Sequence, residues 1–206
     1  MIKIGALVSG GGTNLQAILD AIDKGGINAE VKAVVSSKEG AYALERAKAK
    51  GIENTVIRKK DFENAGDYEK ALAKYFKDRD IDLIVLAGFM VILGPDFINE
   101  FENRIINIHP ALIPSFCGEG YYGLHVHEAA LKAGVKVTGA TVHFVTAECD
   151  AGPIILQKAV DVMDDDTPET LQRRVMEQAE WVIYPEAVKL FAEGRLEITD
   201  GIVKRR

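Results

Sequence analysis

The sequence predicts an α/β protein built on a doubly wound, mostly parallel open sheet, with an antiparallel C-terminal addition and a long C-terminal helix. Three observations lead there. Short β-branched runs alternate with helical patterns through the first half of the 206 residues. The run over residues 81–87 is apolar almost throughout, as a strand covered on both faces requires. The first run passes directly into a glycine loop, Ser9-Gly10-Gly11-Gly12, and then a helix, which is the opening unit of such sheets.

Taken in order, residues 2–8 form the first strand, 14–23 the first helix, 31–36 the second strand, 42–50 the second helix and 55–57 a third strand. A helix over 67–79 carries Ala71, Leu72, Tyr75 and Phe76 on one side and leads to the strand at 81–87. Pro95 opens a short helix over 95–101, where its missing N–H is harmless, and 105–108 is the next strand. Beyond it the pattern changes. Residues 135–145 and 154–160 are strand-like runs separated by the acidic, glycine-containing stretch 146–152, and are expected to pair antiparallel. Thr167 is read as the N-cap of a long helix over 168–191, with Pro168 at its first position, Glu169 and Thr170 in its first turn and Gly194 ending it. Residues 201–206 are read as a short tail whose Lys204, Arg205 and Arg206 are a solvated end. No repeat, low-complexity tract or linker interrupts the chain, so one domain over 1–206 is expected.

With 48% hydrophobic and 27% charged residues, the composition is that of an ordinary globular protein able to bury a sizeable core. The formal charge of −6 repels polyanions, and no Lys/Arg block follows a nucleic-acid backbone, so a small substrate is favoured over nucleic acid. Two cysteines, Cys117 and Cys149, are far from a disulfide framework. With the first strand starting at Ile2, no signal peptide is expected, and no apolar run reaches the roughly 18 to 20 residues of a membrane span; a cytoplasmic location is expected.

The loop Ser9-Gly10-Gly11-Gly12-Thr13-Asn14 lies where glycines let backbone N–H groups approach an anion at a helix start. The dinucleotide fingerprint fits poorly: its third glycine is missing and the second strand ends in Ser36-Ser37, with no acidic residue for a ribose. No Lys-Ser or Lys-Thr pair closes the loop, so a nucleoside-triphosphate loop does not fit either. A terminal phosphate monoester remains, beside the plainer reading of a tight strand-to-helix turn capped by Thr13 or Asn14.

In Ile105-Ile106-Asn107-Ile108-His109-Pro110, Asn107 and His109 take alternate strand positions and share a face at the carboxyl end, where open parallel sheets bind ligands. Together they can donate to an oxygen that becomes negative as an amine attacks a carbonyl carbon. Asp150, in a turn-forming loop, is the candidate carboxylate to accept from His109, raise its pKa and orient it. The same histidine is equally readable as a hydrogen-bonded core residue.

These segments resemble the glycinamide ribonucleotide formyltransferase family over essentially the whole chain. VSGGGTNLQAI is similar to its phosphate loop, LAGFMVILGP to its folate loop, NIHPALIPSF to its catalytic strand and GATVHFVTAECDAGPIILQ to its catalytic aspartate loop. The resemblance implies a Rossmann-like formyltransferase fold, with a phosphate-binding half over about 1–100 and a catalytic and folate half over about 101–200. It implies transfer of formyl from 10-formyltetrahydrofolate to the amine of glycinamide ribonucleotide in purine synthesis, with no metal. Asn107, His109 and Asp150 fall on the family's catalytic residues, and Gly12, Thr13 and Asn14 on those holding the phosphate. Glu180 falls on the carboxylate for the glycinamide amine, and Met90, Val91, Ile92 and Leu93, with Asn107, on the folate site. Val91 stands where some members carry arginine, no arginine lies near Ala65 for the folate tail, and the stretch after Phe116 is longer than the shortest family loops, suggesting a flap.

Other residues have blander readings. Cys117, His125 and His127 lack the tight spacing and fourth ligand of a zinc site. Asp164, Asp165 and Asp166 read as a solvated loop, Cys149 as a packing residue, and His127 and His143 as structural, while His125 is assigned an ordering role at the substrate pocket. The rivals are a formyltetrahydrofolate deformylase, expected to carry an additional N-terminal domain, a methionyl-tRNA formyltransferase, expected to carry a C-terminal one, and a non-catalytic sugar-phosphate binding protein. The chain is expected as a monomer or homodimer.

Overall fold

A computed structural model describes all 206 residues. Seven strands form one sheet in the order β3-β2-β1-β4-β5-β6-β7 and two more form a small hairpin. The chain divides into two compact units, residues 1–107 and 108–206.

In the first unit β1 (Ile2–Val8), α1 (Thr13–Asp23), β2 (Ala29–Ser36), α2 (Tyr42–Ala49) and β3 (Glu53–Val56) alternate as expected. They are followed by α3 (Ala65–Lys77), β4 (Leu83–Ala87), α4 (Pro95–Glu100) and β5 (Ile105–His109), the last running into the second unit. β1 pairs in parallel with β2 on one edge and β4 on the other, with Val8 opposite both Ser36 and Ala87. The three strands therefore end level. The order reverses direction at β1 and β4, which is where an open parallel sheet leaves a crevice beyond its carboxyl ends. Continuous burial from Ile4 to Val8 and along the whole of β4 explains their unbroken apolar sequences. Below the sheet, Phe76 of α3 meets Phe97 and Phe101 edge-on. A Cβ at Gly5 would lie 2.5 Å from the Phe76 ring, so β1 needs glycine there for α3 to close down on it.

Helix α3 starts two residues earlier than the apolar pattern suggested. Asn64 caps it by accepting from the Asp67 N–H at 2.9 Å.

The second unit adds α5 (Leu124–Ala133), β6 (Val137–Phe144) and β7 (Ile154–Asp161), and β6 and β7 pair antiparallel as expected. Helix α5 was not foreseen. Its inward stripe is Val126, His127 and Ala130, and a buried histidine hides the apolar period; Gly134 ends it in the left-handed conformation. The long C-terminal helix is present but composite: α6 (Pro168–Val175), one π-helical turn (Met176–Glu180), and α7 (Trp181–Ala192). Pro185 lies inside α7 and cannot bond back to the Trp181 carbonyl, so the irregular turn precedes a built-in break in the ladder. The tail is β8 (Leu196–Thr199) and β9 (Ile202–Arg205), joined by Asp200-Gly201 with both φ values positive, the hairpin turn that an Asp-Gly pair favours. Lys204 and Arg205 are solvent-exposed as expected, but they belong to a strand.

The acidic run before α6 is likewise only partly solvated. Asp166 is a buried carboxylate held bidentately by Arg174, whose guanidinium keeps the acid down to about 2. Thr167 caps α6 by accepting from the Thr170 N–H while the Thr170 hydroxyl accepts from the Thr167 N–H. Replacing Thr167 by Ala removes one half of this reciprocal pair. Its expected cost is about 1 kcal/mol, or a thermal midpoint lower by about 2–4 °C; an unchanged midpoint would show that water replaces the cap without loss.

Candidate active site

The glycine loop follows β1 directly. Gly12, with φ 69°, stands at the N-cap of α1 and offers no side chain to it. A Cβ there would fall 2.6 Å from that of Ala43, so glycine also admits α2 against the loop. Three successive carbonyls are taken by the protein: Gly10 accepts from Ala43 N–H at 3.1 Å, Gly11 from Arg46 Nε at 2.8 Å and Gly12 from Gln16 N–H at 2.9 Å. A trans peptide sets the next residue's N–H opposite each carbonyl, so the N–H groups of Gly11, Gly12 and Thr13 turn away from those partners in sequence. Consecutive amides presented this way form an anion-binding concavity. Neither Thr13 nor Asn14 serves as the N-cap. Arg46, which stacks over Tyr42 and also reaches Gln16 at 3.0 Å, is the residue the sequence reading missed here; its only signal was a cation one helical turn into α2.

Beyond β4 lie Met90, Val91, Ile92 and Leu93. Met90 and Ile92 are exposed, Val91 is half-buried and Leu93 is buried. The first unit thus brings the glycine loop and this segment side by side at the level ends of β1 and β4, where Ser9 N–H donates to the Gly88 carbonyl at 3.1 Å.

Asn107 and His109 alternate on β5, Asn107 half-buried and His109 buried. His109 Nδ1 is 3.5 Å from Asp150 Oδ2, an ion-pair separation, while Nε2 is 2.8 Å from the Phe116 carbonyl oxygen. Asp150 also accepts from the Gly118 N–H at 2.9 Å, and its second oxygen lies 3.6 Å from His143 Nε2. The carboxylate therefore sits between two buried histidines. Its loop is shaped for this: Asp150 itself has φ 54°, and a Cβ at Gly152 would be 1.8 Å from the Phe144 carbonyl oxygen. His143, which the sequence leaves as readily structural, is brought by the fold to the Asp150 carboxylate. It lies on β6 with its Nδ1 2.9 Å from the Phe144 carbonyl oxygen.

The electrostatics correct one expectation. Burial lowers the pKa of His109, the Asp150 charge and the Phe116 carbonyl only partly offset that, and the net shift is downward, not upward. For Asp150 burial pushes up, but the His143 contact, His109 and the Gly118 N–H outweigh it and leave the carboxyl below its ordinary range. At neutral pH the site holds an ionised Asp150 beside a predominantly neutral His109.

Glu180 closes the π-helical turn as a buried carboxylate. The wider turn of a π segment shifts the side-chain positions after it, and such turns concentrate at functional sites. His125 is exposed and paired with Glu128 at 3.0 Å, and Cys149 is exposed as a residue although burial of its thiol and the nearby Asp150 push it up to about 11. No group of three or more His, Cys, Asp or Glu is arranged to hold a metal ion, and no helix is long and apolar enough to cross a membrane.

The glycine loop of the first unit and the carboxylate between two histidines in the second accompany comparisons that define the class of protein, a formyl-transferring enzyme. The formyl transferase family model matches residues 2–188, and the chain belongs to that family. It is 44% identical over 202 residues to phosphoribosylglycinamide formyltransferase of Haemophilus influenzae, covering 98% of this chain and 92% of the relative. Among solved structures, glycinamide ribonucleotide transformylase 1 of Symbiobacterium toebii superposes with a TM-score of 0.94 at 46% identity, covering 100% of this chain and 94% of the other. A formyltetrahydrofolate deformylase of Pseudomonas syringae shares the fold with a TM-score of 0.88 at 26% identity, and its match covers 99% of this chain but 65% of that one.

His127 generates a prediction of its own. It is 1% exposed on α5, neither ring nitrogen has a hydrogen-bond partner, and burial, helped by the His109 charge, pushes it down to about 4. Because the folded pKa lies below the ordinary 6.5, the unfolded chain takes up the proton first as pH falls. Stability is complete above that range and declines between about pH 6.5 and 4, by about 3 kcal/mol from this group. His127→Leu should flatten that decline, measured as urea midpoints at pH 7 and pH 4.5. An acid sensitivity equal to that of the wild type would place the titrating group elsewhere.

Proposed function

We propose that the enzyme transfers the formyl group of 10-formyltetrahydrofolate to the amine of 5-phosphoribosylglycinamide, a step of purine synthesis. The observation that carries this reading is the ionised Asp150 held between His109 and His143 beside an Asn-x-His strand. On this reading the two compact units are the nucleotide-binding and catalytic halves of one formyltransferase domain.

Gly12, Thr13 and Asn14, at the amide cradle, hold the nucleotide phosphate, with Arg46 supplying positive charge beside them. Glu180 receives the glycinamide amine. Met90, Val91, Ile92 and Leu93 hold the folate, whose chemical contribution is an electrophilic formyl carbon. The residues fit that role: two exposed apolar side chains offer a surface for a flat ring, with Asn107 completing the site.

The amine attacks the formyl carbon directly, the new C–N bond forms as the carbonyl becomes a tetrahedral oxyanion, and collapse of that oxyanion breaks the bond to the folate nitrogen, which takes up the proton that the amine gives up. Asn107 and His109 donate to the oxygen as it becomes negative. His109 Nε2 already faces an acceptor, the Phe116 carbonyl, and the developing oxyanion takes that carbonyl's place. With acceptors facing both ring nitrogens, the arriving negative charge favours the imidazolium that burial alone disfavours, and Asp150 supports that charge. Fixed positions for both substrates supply the proximity.

Absorbance-monitored consumption of 10-formyltetrahydrofolate tests the reading. Consumption only with the nucleotide present is expected; equal consumption without it would make water the acceptor, and none in either case would leave a sugar-phosphate binding protein. In the active enzyme, His109→Ala and Asp150→Asn should each lower kcat by roughly 10²–10³-fold while the protein stays folded. Near-normal turnover in either variant would remove that residue from the mechanism.

A further inference from the structure

The segment of residues 90–93 carries Met90 and Ile92 exposed at 53% and 64%, although loops bearing large apolar side chains usually fold them inward. What keeps this one in place is a pair of buried side chains at its two ends. At the start, Ser9 Oγ accepts from the Met90 N–H at 2.9 Å and is hydrogen-bonded to Ser37 Oγ at 2.6 Å. Ser9 is 3% exposed, so this hydroxyl meets protein and little water. At the finish, the Glu69 carboxylate reaches across from α3 and accepts from the Gly94 N–H at 3.0 Å and the Phe97 N–H at 3.2 Å. Glu69 is 7% exposed, and a Cβ at Gly94 would lie 2.3 Å from its Oε1, so glycine at 94 lets the carboxylate stand this close.

Buried oxygens of this kind are costly to leave unpaired, and each here is paired to a backbone N–H at or beside the loop. Capping α4 requires only one of these anchors. Two, on opposite ends of a short segment and from unrelated elements, restrict where its backbone and its two exposed apolar side chains stand.

We propose that Ser9 and Glu69 are positioning residues for the folate: they act through the backbone of residues 90–94 to hold Met90 and Ile92 against the ring system. The inference rests on the functional reading given above. Ser9 also opens the glycine loop, so its hydroxyl serves both loops, whereas Glu69 bonds to the end of the folate segment at Gly94 and to Phe97 in the first turn of α4. The two variants should therefore differ.

The test is steady-state kinetics with both substrates varied, and thermal midpoints measured alongside. Glu69→Gln keeps the volume but turns an N–H₂ toward a backbone N–H; it should raise KM for 10-formyltetrahydrofolate about tenfold, with KM for the nucleotide within twofold of wild type. Ser9→Ala should raise both KM values. Gly94→Ala, whose Cβ crowds the carboxylate without altering it, should reproduce the Glu69→Gln pattern and stands in for it if that variant does not fold. Unchanged folate KM in folded Glu69→Gln or Gly94→Ala protein, or an equal rise in both KM values, would reduce Glu69 to a helix cap and overturn the inference. A wild-type chain without nucleotide-dependent turnover would overturn the functional reading and this inference with it.

Discussion

β1 is hydrogen-bonded in parallel on both edges, and its final residue stands level with the last residues of β2 and β4. That register constrains the remainder of the first unit. A strand buried on both faces and paired on both edges has no freedom to slip, since a one-residue shift would exchange its two buried faces. The chain must therefore leave the sheet at one level after Val8, Ser36 and Ala87. The segments that do so are Ser9 with the glycine loop, Ser37, and the Gly88 turn toward residues 90–93. Ser9 bonds to both neighbours because the register delivers all three residues together.

In the second unit the governing constraint is electrostatic. A carboxylate with a side chain 9% exposed stays ionised only if its surroundings return what burial removes. Two imidazoles and one backbone N–H do this for Asp150. The cost appears in the backbone, where Asp150 adopts a left-handed conformation that non-glycine residues rarely occupy. Phe116, whose carbonyl faces His109, also has a positive φ, at 49°. Two residues that face the His109 imidazole thus hold left-handed backbone. His127, by contrast, is a histidine buried without partners, and burial keeps it uncharged. Two histidines that flank a carboxylate and one buried without a partner thus differ through their neighbours and not through residue type.

The sequence by itself determined the order of elements, the parallel character of the sheet, the strand–glycine–helix opening and the capped start of the C-terminal helix, because each arises from local periodicity, turn chemistry or backbone sterics. It also brought Asn107 and His109 to one face of a strand, since alternation is a property of any strand. The helix at Leu124–Ala133 escaped because its inward stripe includes a histidine, and the hairpin at the C-terminus because an Asp-Gly pair in so short a tail was given no weight. Only the tertiary structure decided that His143 faces Asp150, that Arg46 fixes a glycine carbonyl, that Glu69 reaches the Gly94 N–H and that burial outweighs the carboxylate at His109. Each of these depends on separation and solvent exclusion between residues distant in the chain, and pairwise electrostatics in a folded protein is set by those two quantities, which no local pattern encodes.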